Sequence, residues 1–273
     1  MKIEAHAKIN WALRVTGRRP DGYHELDMLM QEIGLSDTME IDKADSTVLF
    51  VNGKPDPEAD KNLIIKAVRA LEKETGLSLP VEIRMDKRIP SKAGLGGGSS
   101  DCAAVLKAIN TLYDLGFSRD ELANIGVRLG ADVPFFIYGG YCRVKGIGEA
   151  VCPLFRAPEY SLLIKHVGSG LATPEVFRKT DEVMPKFSEG LDDGLSEGIV
   201  NSCFDGAVND LEAAAFIMDE EILKTLAAFQ KLPGVLYARM SGSGSAVYAV
   251  FGDAASAERA AGGISGAIVT KTM

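Results

Sequence analysis

The run GLGGGSSD, Gly94 to Asp101, places four glycines in five positions and follows them with two serines and an acid. Glycine removes side chains where a backbone must come close to something bulky, and it permits positive φ angles. Behind the run, Cys102, Val105, Leu106, Ile109, Leu112 and Tyr113 recur at helical spacing and form one apolar stripe. The run therefore opens a helix, whose free N–H groups and positive dipole end face whatever the loop encircles. With the hydroxyls of Ser99 and Ser100 added, these features describe a triphosphate cradle made by Gly94, Leu95, Gly96, Gly97, Gly98, Ser99 and Ser100. Two better-known phosphate loops are absent: no Gly-Lys-Ser/Thr closes the run, and it lacks dinucleotide-loop placement after a parallel strand. The plain alternative is a flexible turn before a capped helix.

Asp132, in LGADVPFF, follows a helix that Gly130 ends, and Pro134 disfavours helical geometry at Val133. A carboxylate on a short rigid connection between core elements is well placed to be a general base. Taken alone, an aspartate after Gly-Ala reads first as a cap or turn residue. Lys8 lies on the polar face of the first strand beside Asn10. It is either a solvated lysine or, paired with a buried aspartate, the charge that keeps that carboxylate ionised. Tyr23 and His24 offer an aromatic platform with a hydrogen-bonding group, or simply turn residues on the surface. SGSGS, residues 241 to 245, sits between two strands, as a hairpin turn or as backbone pressed against a ligand.

The elements that must position these residues are legible in outline. From Ile3 to Val15 apolar and polar residues alternate, the period of a half-buried strand with a polar outer face. Pro20, Asp21 and Gly22 signal a turn. Short strands are expected near 39–41, 47–51 and 81–85, with a helix from Asn62 to Glu74 that Gly76 stops. Ser118 and Glu121 have capping-box spacing ahead of a further helix. Phe135, Phe136 and Ile137 read as a buried strand, as do 160–167, 235–240, 246–251 and 267–271. Helices are expected over 219–231 and from Ala254, whereas the polar stretch up to Gly198 has no clear pattern. Strands and helices are interspersed without a βαβ beat, so the expected class is α+β, with two layers in each domain.

The 273 residues suit two modest domains, with a boundary expected near 150–158 that gives 1–154 and 155–273. A net charge of −8 argues against nucleic acid or an anionic membrane as partner, yet leaves room for a small phosphorylated ligand. Cys102, Cys142, Cys152 and Cys203 form no Cys-x-x-Cys pair and read as free thiols in a reducing compartment. The N-terminus has no apolar core of a signal peptide, and no apolar run nears the ~20 residues of a membrane span. The expected location is cytoplasmic.

Four stretches taken together, AKINWALRVTGRRPDGYHEL, IPSKAGLGGGSSDCAAVL, LGADVPFF and MSGSGSAVYAVF, resemble the galactokinase, homoserine kinase, mevalonate kinase and phosphomevalonate kinase superfamily. The first, with Ala-Lys-x-Asn before Asp-Gly-Tyr-His, resembles more narrowly a branch acting on a polyol that carries cytidine diphosphate. The resemblance implies an α+β fold of two domains with the active site in the cleft between them, the N-terminal one binding ATP. It implies Asp132 as base toward the substrate's 2-hydroxyl with Lys8 alongside, and Asn10 positioning the substrate. Tyr23 and His24 would receive the cytidine, Phe177 would face it as an aromatic wall, and Thr173 would stand nearby. Gly94 to Ser100 would wrap the ATP phosphates and Asn62 would lie near the adenine. ATP is the implied co-substrate, with Mg²⁺ expected mainly on its phosphate oxygens and no protein residue assigned to the metal. Ser91-Lys92 stands where the superfamily has two small or apolar residues, and Lys92 either reaches a phosphate or stays in solvent. Rival readings are a sister kinase for another small alcohol, such as mevalonate or homoserine, and a nucleotide-binding module without catalysis.

Overall fold

The alternating N-terminal residues build β1 (Lys2–Arg18), and after the Pro-Asp-Gly turn the chain runs out again as β2 (His24–Lys43). A computed structural model describes all of residues 1–273. The polar face expected on β1 is not open to solvent. From Ala7 to Leu13 every residue is buried, Lys8 and Asn10 included. The strand is covered on both sides, so its polar residues needed partners. The chain divides into two compact units, each discontinuous in sequence. One comprises Met1–Ala7, Leu35–Ile89 and Gly96–Gly139, the other Lys8–Gly34, Pro90–Leu95 and Gly140–Met273.

In the first unit β2 is followed by β3 (Val48–Val51), β4 (Lys54–Pro55), α1 (Leu63–Thr75) and β5 (Val81–Asp86). β5 pairs antiparallel with the end of β2, Thr38 opposite Asp86, and parallel with β3, which pairs with β4. α1 has the stop and start its sequence promised. Asn62 caps it by accepting from the Ile64 N–H at 3.1 Å, and Gly76 ends it in the left-handed region. Then come α2 (Gly97–Leu112), α3 (Arg119–Val127) and α4 (Val133–Tyr138). α2 packs on the other three helices, and α3 starts with the expected Ser118–Glu121 capping box.

The expected strand at 135–137 is α4 instead. Six apolar residues in a row carry no period that separates a buried strand from a buried helical turn. Pro134 decides locally: at the first turn of a helix its missing N–H costs no bond and its fixed φ is already helical.

In the second unit the early part of β2 pairs antiparallel with β6 (Tyr141–Gly146), which pairs with β7 (Ala150–Pro153). β8 (Ser161–Lys165) leads to α5 (Thr173–Val183), α6 (Leu195–Val200), α7 (Glu212–Met218) and α8 (Glu220–Phe229). β9 (Tyr237–Met240), β10 (Val247–Phe251), α9 (Ala254–Ala261) and β11 (Ala267–Lys271) complete the chain. These strands form an antiparallel sheet ordered β11-β8-β10-β9, with α8 on β10 and α9 against β8. Trp11 anchors this core between Tyr160, Phe204 and Tyr248, and its indole N–H donates to the Gln31 side chain at 2.8 Å. The class is α+β. No helix is long and apolar enough to cross a membrane.

Candidate active site

In the second unit three of the sequence motifs meet. Lys8 and Asn10 project from the same face of β1, two residues apart, and the Lys8 ammonium donates to the Asn10 side-chain oxygen at 2.6 Å. The Lys8 backbone N–H donates to the Leu95 carbonyl at 3.0 Å, which ties β1 to the start of the glycine run. The SGSGS loop is both a turn between β9 and β10 and a clamp. Its Ser241 hydroxyl donates to the Gly94 carbonyl at 3.0 Å, and the Ala246 N–H donates to the Ala93 carbonyl at 3.0 Å. Backbone approach is so close that a Cβ on Gly94 would lie 2.0 Å from the Ser241 carbonyl oxygen. A Cβ on Gly242 would lie 3.0 Å from Lys8 Nζ, 3.1 Å from the Gly94 carbonyl and 3.2 Å from Asn10 Oδ1. Both glycines have positive φ, so sterics and conformation make the same demand.

Asn209, which no sequence pattern marked, holds this loop from behind. Its buried amide donates to the carbonyls of Met240 and Gly242 at 3.1 and 2.8 Å. Lys92 adopts φ +53, and its carbonyl accepts from the Leu171 and Ser245 N–H groups, while its side chain is exposed.

In the first unit α2 begins inside the glycine run, with Gly96 at its N-cap in the left-handed region and no side chain capping it. The first intrahelical bond in this turn is Ser100 N–H to the Gly96 carbonyl, so the N–H groups of Gly97, Gly98 and Ser99 remain without helical acceptors. That is the bare-donor start expected of a phosphate cradle. The turn that leads to Asp132 rests against it: a Cβ on Gly130 would lie 3.5 Å from Ser99 Oγ. Asp132 is half-buried at the N-cap of α4, yet its side chain does not cap that helix. The bland role of a capping carboxylate is therefore not the one it fills.

The residues expected around cytidine lie partly together. His24 stacks on Phe177 with ring centroids 4.8 Å apart and planes 18° from parallel, and its Nε2 lies 2.7 Å from Asp181 Oδ1. Those two rings touch, so no base fits between them as they stand. Tyr23, by contrast, is 58% exposed. Thr173 opens α5, and its hydroxyl hydrogen-bonds Ser243 of the SGSGS loop at 2.8 Å. Asn62 has both ends of its amide in use, accepting from Ile64 and donating to Asp56 at 3.0 Å. No group of three or more His, Cys, Asp or Glu side chains gathers to hold a metal ion.

The family models give the chain its place. Residues 62–140 match the model for the GHMP kinases N terminal domain, and residues 184–267 match that for the GHMP kinases C terminal region. The chain belongs to the GHMP kinase family. This GHMP kinase is 36% identical over 256 residues to the 4-diphosphocytidyl-2-C-methyl-D-erythritol kinase of Thermoanaerobacter sp. (strain X514), covering 93% of the chain and 88% of that protein. It is 40% identical over 270 residues to the kinase of the same name from Brucella melitensis biotype 1, covering 94% and 88%. A crystal structure of a 4-(cytidine 5'-diphospho)-2C-methyl-D-erythritol kinase matches with a TM-score of 0.85 at 33% identity, covering 100% of this chain and 99% of that one. The Methanococcus jannaschii mevalonate kinase, at 14% identity and a TM-score of 0.70, shares the fold.

Proposed function

We propose that this GHMP kinase transfers the γ-phosphate of ATP to the 2-hydroxyl of 4-diphosphocytidyl-2-C-methyl-D-erythritol, a step of non-mevalonate isoprenoid precursor synthesis in the cytoplasm. Identities of 36–40% to proteins of that name, over 93–94% of the chain, support the substrate. The observation that supports the chemistry is the seat of the Asp132 turn against Ser99, at the bare-donor start of α2.

The glycine run from Gly94 to Ser100 holds the ATP phosphates on its N–H groups, and Asn62 lies by the adenine. Asn10 positions the polyol, while Tyr23, His24, Phe177 and Thr173 take the cytidine end. Asp132 accepts the proton of the 2-hydroxyl as that oxygen attacks the γ-phosphorus. The bond to the β–γ bridging oxygen breaks, and ADP leaves with the bonding pair. Lys8 supplies fixed positive charge beside the hydroxyl as it becomes an alkoxide. No covalent enzyme intermediate is needed, so positioning and electrostatics carry the rate. Mg²⁺ would arrive with the substrate as MgATP, where it would offset phosphate charge.

The test is a product assay with the full cytidine-diphosphate alcohol, the same alcohol without that group, mevalonate and homoserine. Transfer to the first alone supports the proposal. Equal or better transfer to another alcohol, or ATP consumption with no phosphorylated acceptor, overturns it.

A further inference from the structure

Beneath the glycine run lies a buried ionic set with more acid than base. Lys87, just past β5, contacts Asp37 of β2 and donates to Asp101 Oδ2 of α2 at 2.8 Å. Asp37, wholly buried, is saturated with donors, because it also accepts from the backbone N–H groups of Arg88 and Ile89. Asp101 is 3% exposed, accepts from Lys87 and lies close enough to Asp37 to feel its charge, while its Oδ1 is buried with no hydrogen-bond partner. The ammonium is pressed against the run itself. A Cβ on Gly97 would lie 3.0 Å from Lys87 Nζ and 2.9 Å from Ile89 Cγ2. One positive charge thus faces two carboxylates within one turn of the donors that Gly97, Gly98 and Ser99 present.

We propose that Lys87, Asp37 and Asp101 are positioning residues for the glycine run, and that Asp101 takes up a proton as the ATP polyphosphate binds there. The inference rests on the reading that this run holds the ATP phosphates. With Asp101 ionised the set carries a net negative charge, which repels the incoming anion. With Asp101 protonated the set is neutral, its bare Oδ1 is relieved of an unpaired buried charge, and Lys87 stays under Gly97. The energetic setting fits. Burial pushes the Asp101 carboxyl up, Lys87 pulls it down and the charge of Asp37 pushes it up again, leaving it at about 7. Its helix neighbour Cys102 stays a neutral thiol, pushed up to about 12 by burial and by Asp101. Binding that favours the protonated form must raise this value in turn, since the coupling is reciprocal.

The experiment compares the wild-type chain with Asp101→Asn, which keeps the shape and cannot titrate. Calorimetric titration of a non-hydrolysable ATP analogue at pH 7.5, in buffers of different ionisation heat, should show the wild type taking up about half a proton more than the variant. The KM for MgATP should rise by on the order of tenfold more in the wild type than in the variant between pH 6 and pH 9, while the kcat ratio stays level. The nucleotide's own titration is common to both proteins and cancels. Equal proton counts with parallel KM profiles overturn the proposal. Gly98→Ala separates that failure from failure of the reading beneath it, because its methyl would touch only Leu63 Cδ1, at 3.7 Å. If Gly98→Ala leaves analogue affinity unchanged, the run does not hold phosphate and both ideas fall. If it weakens binding while wild type and Asp101→Asn titrate alike, the proton coupling alone is wrong.

Discussion

Lys8 Nζ donates to Asn10 Oδ1 at 2.6 Å, and both side chains are buried on a strand covered from both sides. A lysine removed from water in this way must be compensated by acceptors and nearby negative charge. On the proposed mechanism its place beside Asn10 serves the reacting hydroxyl. Lys8→Met should keep the packed stem and lower kcat by about 10²-fold or more, with the KM for MgATP little changed. A variant with wild-type kcat would remove Lys8 from the chemistry.

Gly242→Ala is the sharpest steric test of how this corner is built. The new methyl would meet Lys8 Nζ, the Gly94 carbonyl and Asn10 Oδ1 within 3.2 Å, on a residue with φ +53. A loss of about 1–3 kcal/mol in stability is expected, together with a drop in activity larger than that loss of folded protein explains. Denaturant melts and kcat of the same sample check both.

Phe177→Ala removes the ring that His24 stacks on. The KM for the cytidine-bearing alcohol should rise about tenfold, because His24 of the proposed cytidine site loses the ring it packs on, while the KM for MgATP holds. If both KM values rose together, the stack would be structural support for the whole site.

The Asp101 carboxyl also makes stability depend on pH. Its folded value, about 7, lies above the usual carboxylate range. A group raised on folding contributes stability that is full below its unfolded value and is lost as pH rises through the folded one. Asp101→Asn should therefore gain Tm relative to the wild type between pH 5 and pH 8. A constant Tm difference across that window would mean that Asp101 does not titrate there.

Much of this was legible because its causes are local. The Gly76 stop and the Ser118–Glu121 box depend on residues three or four apart, and both formed where their spacing put them. The start of α2 was legible too, although the helix begins at Gly97, two residues ahead of the serines. What sequence could not give depends on distant partners. The burial of Lys8 follows from cover on both faces of β1, and the Asn209 clamp joins residues more than thirty apart. The Lys87 set joins residues 14 and 50 positions from the lysine. α5 was hidden for another reason: only Val176 and Thr180 of its eleven residues are buried, too thin a stripe to show a period.

The role of Asp132 is tested most directly by single-turnover phosphoryl transfer with Asp132→Asn at saturating MgATP and cytidine-diphosphate alcohol. General-base catalysis is expected to make the transfer step slower by about 10²–10⁴-fold, with nucleotide affinity within about threefold of the wild type. A variant that still transfers at more than about a tenth of the wild-type rate, below even the low end of that range, would contradict a base at residue 132.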